Sequence, residues 1–140
     1  MAMELVALER TNKYKVLYYE KLKYQPENLA LLAEHFDIIT LTDPSRATSE
    51  ILSEIDIIFA PLGYYCGREK IEQANNLKVI ASNTTGHSHI DVRCAEEKGV
   101  KVVTLKEQHA FLKTITPTAE LTWGLIIAIT RNMFSASKSV

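Results

Sequence analysis

Apolar residues in this chain gather into short runs separated by amphipathic or turn-rich stretches, and the runs recur at regular intervals. Tyr14 to Tyr19 (YKVLYY) is aromatic and β-branched enough to predict a first strand. Pro26 and Glu27 suit the first turn of a helix whose apolar stripe is Leu29, Leu32, Ala33 and Phe36. Asp37 to Leu41 (DIITL) reads as a second strand, ended by the turn chemistry of Asp43-Pro44-Ser45 before a short amphipathic helix carrying Ile51, Leu52 and Ile55. The unit then repeats. Asp56 to Ala60 is a third strand with Pro61-Leu62-Gly63 as the loop at its carboxyl end, Arg68 to Ala74 a helix with Ile71 inward, and Leu77 to Ala81 a fourth strand. Asp91 to Lys98 forms a further helix closed by Gly99, and Val100 to Leu105 a fifth strand.

Strands that are nearly continuous apolar runs, alternating with helices over short connections, predict an α/β fold. The expected architecture is a flavodoxin-like open parallel sheet of about five strands with helices on both faces. Lys106 to Thr116 is an irregular or short helical connection, and Pro117 opens a long apolar C-terminal helix running to about Phe134. Leu121, Trp123, Leu125, Ile126, Ile127, Ala128 and Ile129 occupy almost its whole circumference, so it calls for partners on more than one side. The organisation expected is an N-terminal extension at 1–12, a flavodoxin-like sheet domain at 13–116, a helix at 117–134 that packs against a further domain or a second copy, and a tail at 135–140. A homodimer through the Pro117-to-Phe134 helix follows from its apolar surface.

Composition narrows the function classes. The 140 residues include 16 basic and 17 acidic side chains, a balance that steers the protein toward neither nucleic acid nor an acidic membrane. Leu121 to Ile129 is too short to span a bilayer, and the start lacks the pattern of a secretory signal, which together predict a soluble cytoplasmic protein. Cys66 and Cys94 lack disulfide-framework or zinc-type spacing and read as reduced thiols.

The candidate chemistry lies in Leu77 to Asp91, LKVIASNTTGHSHID, where a strand breaks into a small, hydroxyl-rich turn. Ser82, Asn83, Thr84, Thr85 and Gly86 can offer backbone N–H groups to a carboxylate or phosphate near the positive end of the following helix; a plain polar strand-to-helix turn has the same composition. His87, His89, Asp91 and Cys94 are metal-ligand types, but Asp91 is better used as a helix N-cap and Cys94 as a buried apolar residue, so no metal is expected. The histidines read as solvated or substrate-facing. No nucleophile signature appears, and therefore no catalytic residue is assigned. Gly63, Gly67, Gly86, Gly99 and Gly124 are too scattered for a dinucleotide fingerprint. A phosphate-accepting receiver domain would need Asp where Ala60-Pro61 stands. SNTTGHS faintly echoes the FMN phosphate loop of flavodoxins, but follows the fourth strand rather than the first.

In order, LKVIASNTTGHSHID, AEEKGVKVVTL and TPTAELTWGLIIAITRN resemble the amino-terminal substrate-binding domain of the NAD-dependent D-isomer-specific 2-hydroxyacid dehydrogenases, over about Lys15 to Phe134. The resemblance implies that Thr85, Gly86 and His87 form the turn whose backbone receives the substrate carboxylate. It matches Leu62 and Gly63 to a second loop facing the cleft, and Thr118 to the start of a helix close to the nicotinamide end of NAD. One position departs: many relatives carry Asp where this chain has Ser88. By the same resemblance, the Gly-rich NAD loop and the catalytic Arg, Glu and His belong to sequence beyond the equivalent of Phe134. His35, His87, His89 and His109 match no catalytic position. The chain is therefore expected to be a truncated part of an oxidoreductase acting on a small 2-hydroxy or 2-keto acid, inactive by itself and holding NAD only within the whole enzyme. The other reading is a free-standing flavodoxin-like module that binds a small anion or FMN without chemistry.

Overall fold

The computed structural model describes residues 13–138, and the expected N-terminal extension at 1–12 lies outside them. Contacts divide the chain after Thr104 into two compact units.

The first unit is built on five strands, β1 (Lys15–Tyr19), β2 (Asp37–Leu41), β3 (Ile57–Phe59), β4 (Val79–Ala81) and β5 (Lys101–Val103). They form one sheet in the order β2-β1-β3-β4-β5, with every pair parallel. Four helices connect them: α1 (Pro26–His35), α2 (Ser49–Ser53), α3 (Arg68–Gln73) and α4 (Val92–Glu97). Right-handed crossovers require α2, α3 and α4 on one face and α1 on the other, because the chain steps one way from β1 to β2 and the opposite way thereafter. Contacts between α2 and α3 and between α3 and α4 agree with that placement.

The core follows from this asymmetry. Leu17, Leu52, Ile55, Ile58, Ile71, Ile80, Cys94 and Ala95 are buried within one cluster. The register that pairs Ile58 with Ile80 and Ile80 with Val102 brings alternate residues to the same face of the sheet. The opposite face has less cover. Val16 and Tyr18 are buried, but Ile57, Phe59, Val79 and Ala81 are half-buried and α1 buries no residue fully. Tyr24 fills part of that side, with its ring centroid 5.4 Å from that of Tyr18 and 5.8 Å from that of Phe59.

Local signals set several boundaries. Pro26 starts α1, and Asp91 caps α4 by accepting the Cys94 amide at 2.9 Å. Gly99, at φ +70°, ends α4 in a Schellman arrangement: its N–H donates to Glu96 O at 3.0 Å and the Val100 N–H donates to Ala95 O at 2.8 Å.

The second unit contains α5 (His109–Leu112), α6 (Pro117–Thr130) and α7 (Met133–Ala136). Here the expectation of one long apolar helix to Phe134 is corrected. α6 stops at Thr130, Asn132 adopts the left-handed conformation at φ +49°, and Phe134 lies in the separate four-residue α7. Asn tolerates that conformation better than other non-glycine residues, which makes it a natural stop. Because the apolar residues ring α6 without a single stripe, nothing in their spacing marked where it ends. Leu121, Trp123, Leu125, Ile126, Ile127 and Ile129 are all exposed. Among the described residues, no helix is long and apolar enough to cross a membrane.

Candidate functional site

In an open parallel sheet the crevice outside the carboxyl ends of the strands forms where neighbouring connections leave in opposite directions. Here that point lies between β1 and β3. The chain leaves β1 through the 3₁₀ turn Glu20–Leu22, and leaves β3 through Ala60, Pro61 and Leu62. With the turn after β4, these segments enclose an open cleft of about 460 Å³ lined by Lys21, Leu22, Pro61, Leu62, Tyr64, Asn83 and Thr84.

The β3 loop is a tight turn. The Tyr64 N–H donates to Pro61 O at 3.4 Å and Gly63 sits at φ +91°, a conformation that demands glycine at the third position of the turn. That geometry projects Leu62, 68% exposed, and Tyr64 toward the cleft. Lys21 brings the positive charge. Its ammonium donates to the Tyr64 hydroxyl and lies 4.7 Å from the Tyr64 ring centroid. The hydroxyl contact holds the Lys21 pKa above the ordinary lysine value, so the cleft keeps a cation and no lining acid at neutral pH.

Asn83 to Ser88 form the turn after β4. It is anchored at one end by the Ser82 N–H, which donates to Val103 O at 2.9 Å, and at the other by a parallel bridge between Ile90 and Cys66. Across that bridge the Cys66 N–H donates to His89 O at 2.8 Å and the Asp91 N–H donates to Cys66 O at 3.0 Å. Burial pushes the Cys66 thiol up to about 11, which keeps it protonated and unreactive. Thr85, Gly86 and His87 are exposed, and their N–H groups donate to no acceptor among the described residues. Three unpaired exposed amides in sequence are suited to bind an anion.

Two expectations change. α4 begins only at Val92, and Asp91 already caps it, so Thr84, Thr85 and Gly86 are not at the positive end of that helix. Their capacity for an anion rests on their own amides and the nearby Lys21. His89 is neither solvated nor substrate-facing: it is 7% exposed, with Nε2 3.1 Å from Ser82 Oγ. The pair resembles a serine–histidine couple in distance but cannot act as one. Ser82 is itself buried, and His89 Nδ1 lacks the orienting partner that such a base requires.

Of the sequence-predicted residues, the structure places Leu62 on the cleft wall and Gly63 in the turn that aims it. Thr85, Gly86 and His87 continue from the cleft-lining Asn83 and Thr84. Thr118 belongs to the second unit, in the first turn of α6, where its carbonyl accepts from Thr122 Oγ1 at 2.8 Å. The chemistry missed in the sequence is the buried Ser82–His89 pair; seven positions separate the two residues and no local pattern joins them.

The residues present do not fit NAD as a complete site. Where a dinucleotide fold has a glycine-rich loop after its first strand, this chain has Glu20-Lys21-Leu22. Among the described residues no three of His, Cys, Asp and Glu gather to hold a metal ion.

Residues 16–123 match the model of the D-isomer specific 2-hydroxyacid dehydrogenase catalytic domain. The chain is similar to a glyoxylate reductase of Thermococcus onnurineus, 29% identical over 133 residues, which cover 91% of this chain and 37% of the relative. It is also similar to a D-3-phosphoglycerate dehydrogenase of Methanocaldococcus jannaschii, 35% identical over 91 residues, or 65% of this chain and 16% of the relative. Among solved structures, the PH0520 protein of Pyrococcus horikoshii OT3 matches with a TM-score of 0.63 at 27% identity, covering 90% of this chain and 36% of that one. The chain thus spans little more than a third of the first of these relatives. With its matched region and its five-stranded parallel sheet, the chain belongs to the D-isomer specific 2-hydroxyacid dehydrogenases, within that family's catalytic domain.

Proposed function

We propose that this chain is the substrate-binding part of an NAD-dependent cytoplasmic oxidoreductase that interconverts a D-2-hydroxyacid and its 2-keto acid. The observation that carries the reading is the turn after β4, where the exposed Thr85, Gly86 and His87 have unpaired amides beside a cationic cleft within the family's matched region. In this reading those amides receive the substrate carboxylate, Lys21 adds attraction, and Leu62 and Gly63 shape the wall against the rest of the acid. The chain contributes orientation rather than a proton or a hydride.

Thr118, at the start of α6, would lie close to the nicotinamide end of NAD in the whole enzyme. NAD supplies the hydride when bound by the whole enzyme, and this chain alone is inactive. The exposed apolar ring of α6 makes a homodimer contact. Two free, buried cysteines suit a reducing compartment.

The reading is tested on the chain itself with NADH and a panel of small 2-keto acids, followed by a thermal-shift comparison. No turnover is expected, while 2-hydroxy and 2-keto acids raise Tm by mass action and matched neutral amides do not. Turnover above background overturns the assigned inactivity. A flavin absorbance in the purified protein, with no response to acids, overturns the dehydrogenase reading.

A further inference from the structure

Beneath the exposed turn, His89, Ser82 and Thr84 form a line of side chains that ends on the Gly86 carbonyl. Counting protons gives this line a direction. Thr84 Oγ1 donates to Gly86 O at 2.6 Å, which uses the single hydrogen of that hydroxyl. Ser82 Oγ lies 2.9 Å from Thr84 Oγ1 and 3.1 Å from Ala60 O; with the Thr84 hydrogen used on Gly86 O, the single Ser82 hydrogen is shared between these two acceptors as a three-centre bond. Toward His89 it can therefore only accept. This donor count assigns the proton in the 3.1 Å contact between His89 Nε2 and Ser82 Oγ to Nε2. Nδ1 is left as a lone pair, and it is the buried side-chain atom that has no hydrogen-bond partner among the described residues. An unpaired acceptor is milder than an unpaired N–H, so this tautomer is also the one the burial favours.

The far end of the line is Gly86. A Cβ there would meet nothing within 4 Å, and its φ lies outside the left-handed region, so neither space nor backbone demands a glycine. What glycine brings is freedom for the Gly86–His87 peptide to rotate. No peptide among the described residues is cis, and in a planar trans peptide the N–H points opposite to the C=O. With the Gly86 carbonyl turned toward Thr84, the His87 N–H is turned away from it. A flipped peptide would offer an anion a carbonyl oxygen instead.

We infer that His89 is a positioning residue: its Nε2–H, relayed through the hydroxyls of Ser82 and Thr84, holds the Gly86–His87 peptide so that the turn offers N–H rather than C=O to a carboxylate. The hold on the peptide stands on the distances alone; its consequence for a ligand rests on the carboxylate reading of the turn.

Nuclear magnetic resonance on the full chain separates the two. In the wild type, the histidine ring spectrum shows His89 as the Nε2–H tautomer; an Nδ1–H tautomer overturns the inference. Thr84→Val removes one hydroxyl at a half-exposed site, so the fold is retained. It broadens or shifts the Gly86 and His87 amides and weakens glyoxylate binding about tenfold, the scale of one hydrogen bond. His89→Gln, which places an amide N–H near the Nε2 position, keeps both amides and affinity close to wild type; His89→Asn, which is too short to reach Ser82, behaves like Thr84→Val. Unchanged Gly86 and His87 amides in Thr84→Val overturn the relay. If wild-type protein shows the tautomer and the ordered turn but no response to glyoxylate, the carboxylate reading fails while the relay holds.

Discussion

His89 Nε2 stands 3.1 Å from Ser82 Oγ, and both groups are buried beneath the turn that follows β4. Ser82 Oγ shares its hydrogen between Ala60 O at the end of β3 and Thr84 Oγ1, so one hydroxyl joins two neighbouring strands and the far side of the turn. Ser82→Ala leaves the His89 Nε2–H without its acceptor in the interior. An unfolding free energy lower by about 1–3 kcal/mol is expected from urea denaturation, the scale of an unsatisfied buried donor. A loss of less than about 0.5 kcal/mol, the range of an ordinary surface change, contradicts this role.

Gly63 and Gly86 respond differently to the same substitution. Gly63 has φ +91°, so Gly63→Ala forces a side chain into the left-handed region at a cost of about 1–2 kcal/mol and displaces Leu62 and Tyr64 from the cleft. Gly86→Ala meets open space at an ordinary φ and leaves stability unchanged or raises it by up to about 1 kcal/mol. Thermal denaturation of the two variants measures the contrast, and equal losses at both positions refute it.

Asp56 joins β1, β3 and β4 electrostatically. Its carboxylate accepts the Lys15 N–H at 3.0 Å and the Lys78 ammonium, with its side chain 16% exposed. Burial pushes its pKa up, but the Lys78 and Lys15 hydrogen bonds and charges outweigh that and hold it below the ordinary aspartate value. Since the folded pKa is the lower one, the contribution is fully present above the unfolded value of about 3.9 and is lost as pH falls through the folded value. Asp56→Asn is expected to cost about 1–2 kcal/mol at pH 7, with the gap to wild type closing below about pH 4. A gap that stays constant down to pH 2 contradicts the assignment.

Leu125, Ile126 and Ile127 lie exposed on α6, and homodimerisation would cover them. Light scattering of the purified chain should give the mass of a dimer, with Leu125→Lys shifting it to the monomer. A monodisperse wild-type monomer at high concentration counts against the dimer, as does a variant whose mass does not change.

Much of the fold was legible because buried parallel strands are written as continuous apolar runs. YKVLYY, DIITL and LKVIA contain β1, β2 and β4, while Pro26, Asp91 and Gly99 mark helix ends through backbone chemistry that acts locally. The 2-1-3-4-5 strand order depends on which strands pair, which the apolar runs do not record. What escaped has non-local causes. The break at Asn132 interrupts an exposed helix whose apolar ring carries no period, and His89 becomes buried because Ile90 pairs with Cys66 from another loop. The residues of the turn were legible by type, whereas the hydroxyl line beneath them depends on how the segment from Ser82 to His89 folds back on itself, which no local pattern records.

The most direct test is a backbone amide titration of this chain with glyoxylate, followed by nuclear magnetic resonance and compared with acetamide as a neutral control. Saturable shifts centred on Thr85, Gly86 and His87, with smaller ones at Leu62 and Tyr64 and none with acetamide, are the result expected of a carboxylate-binding turn. Shifts confined to other surfaces, or equal shifts with acetamide, would contradict it.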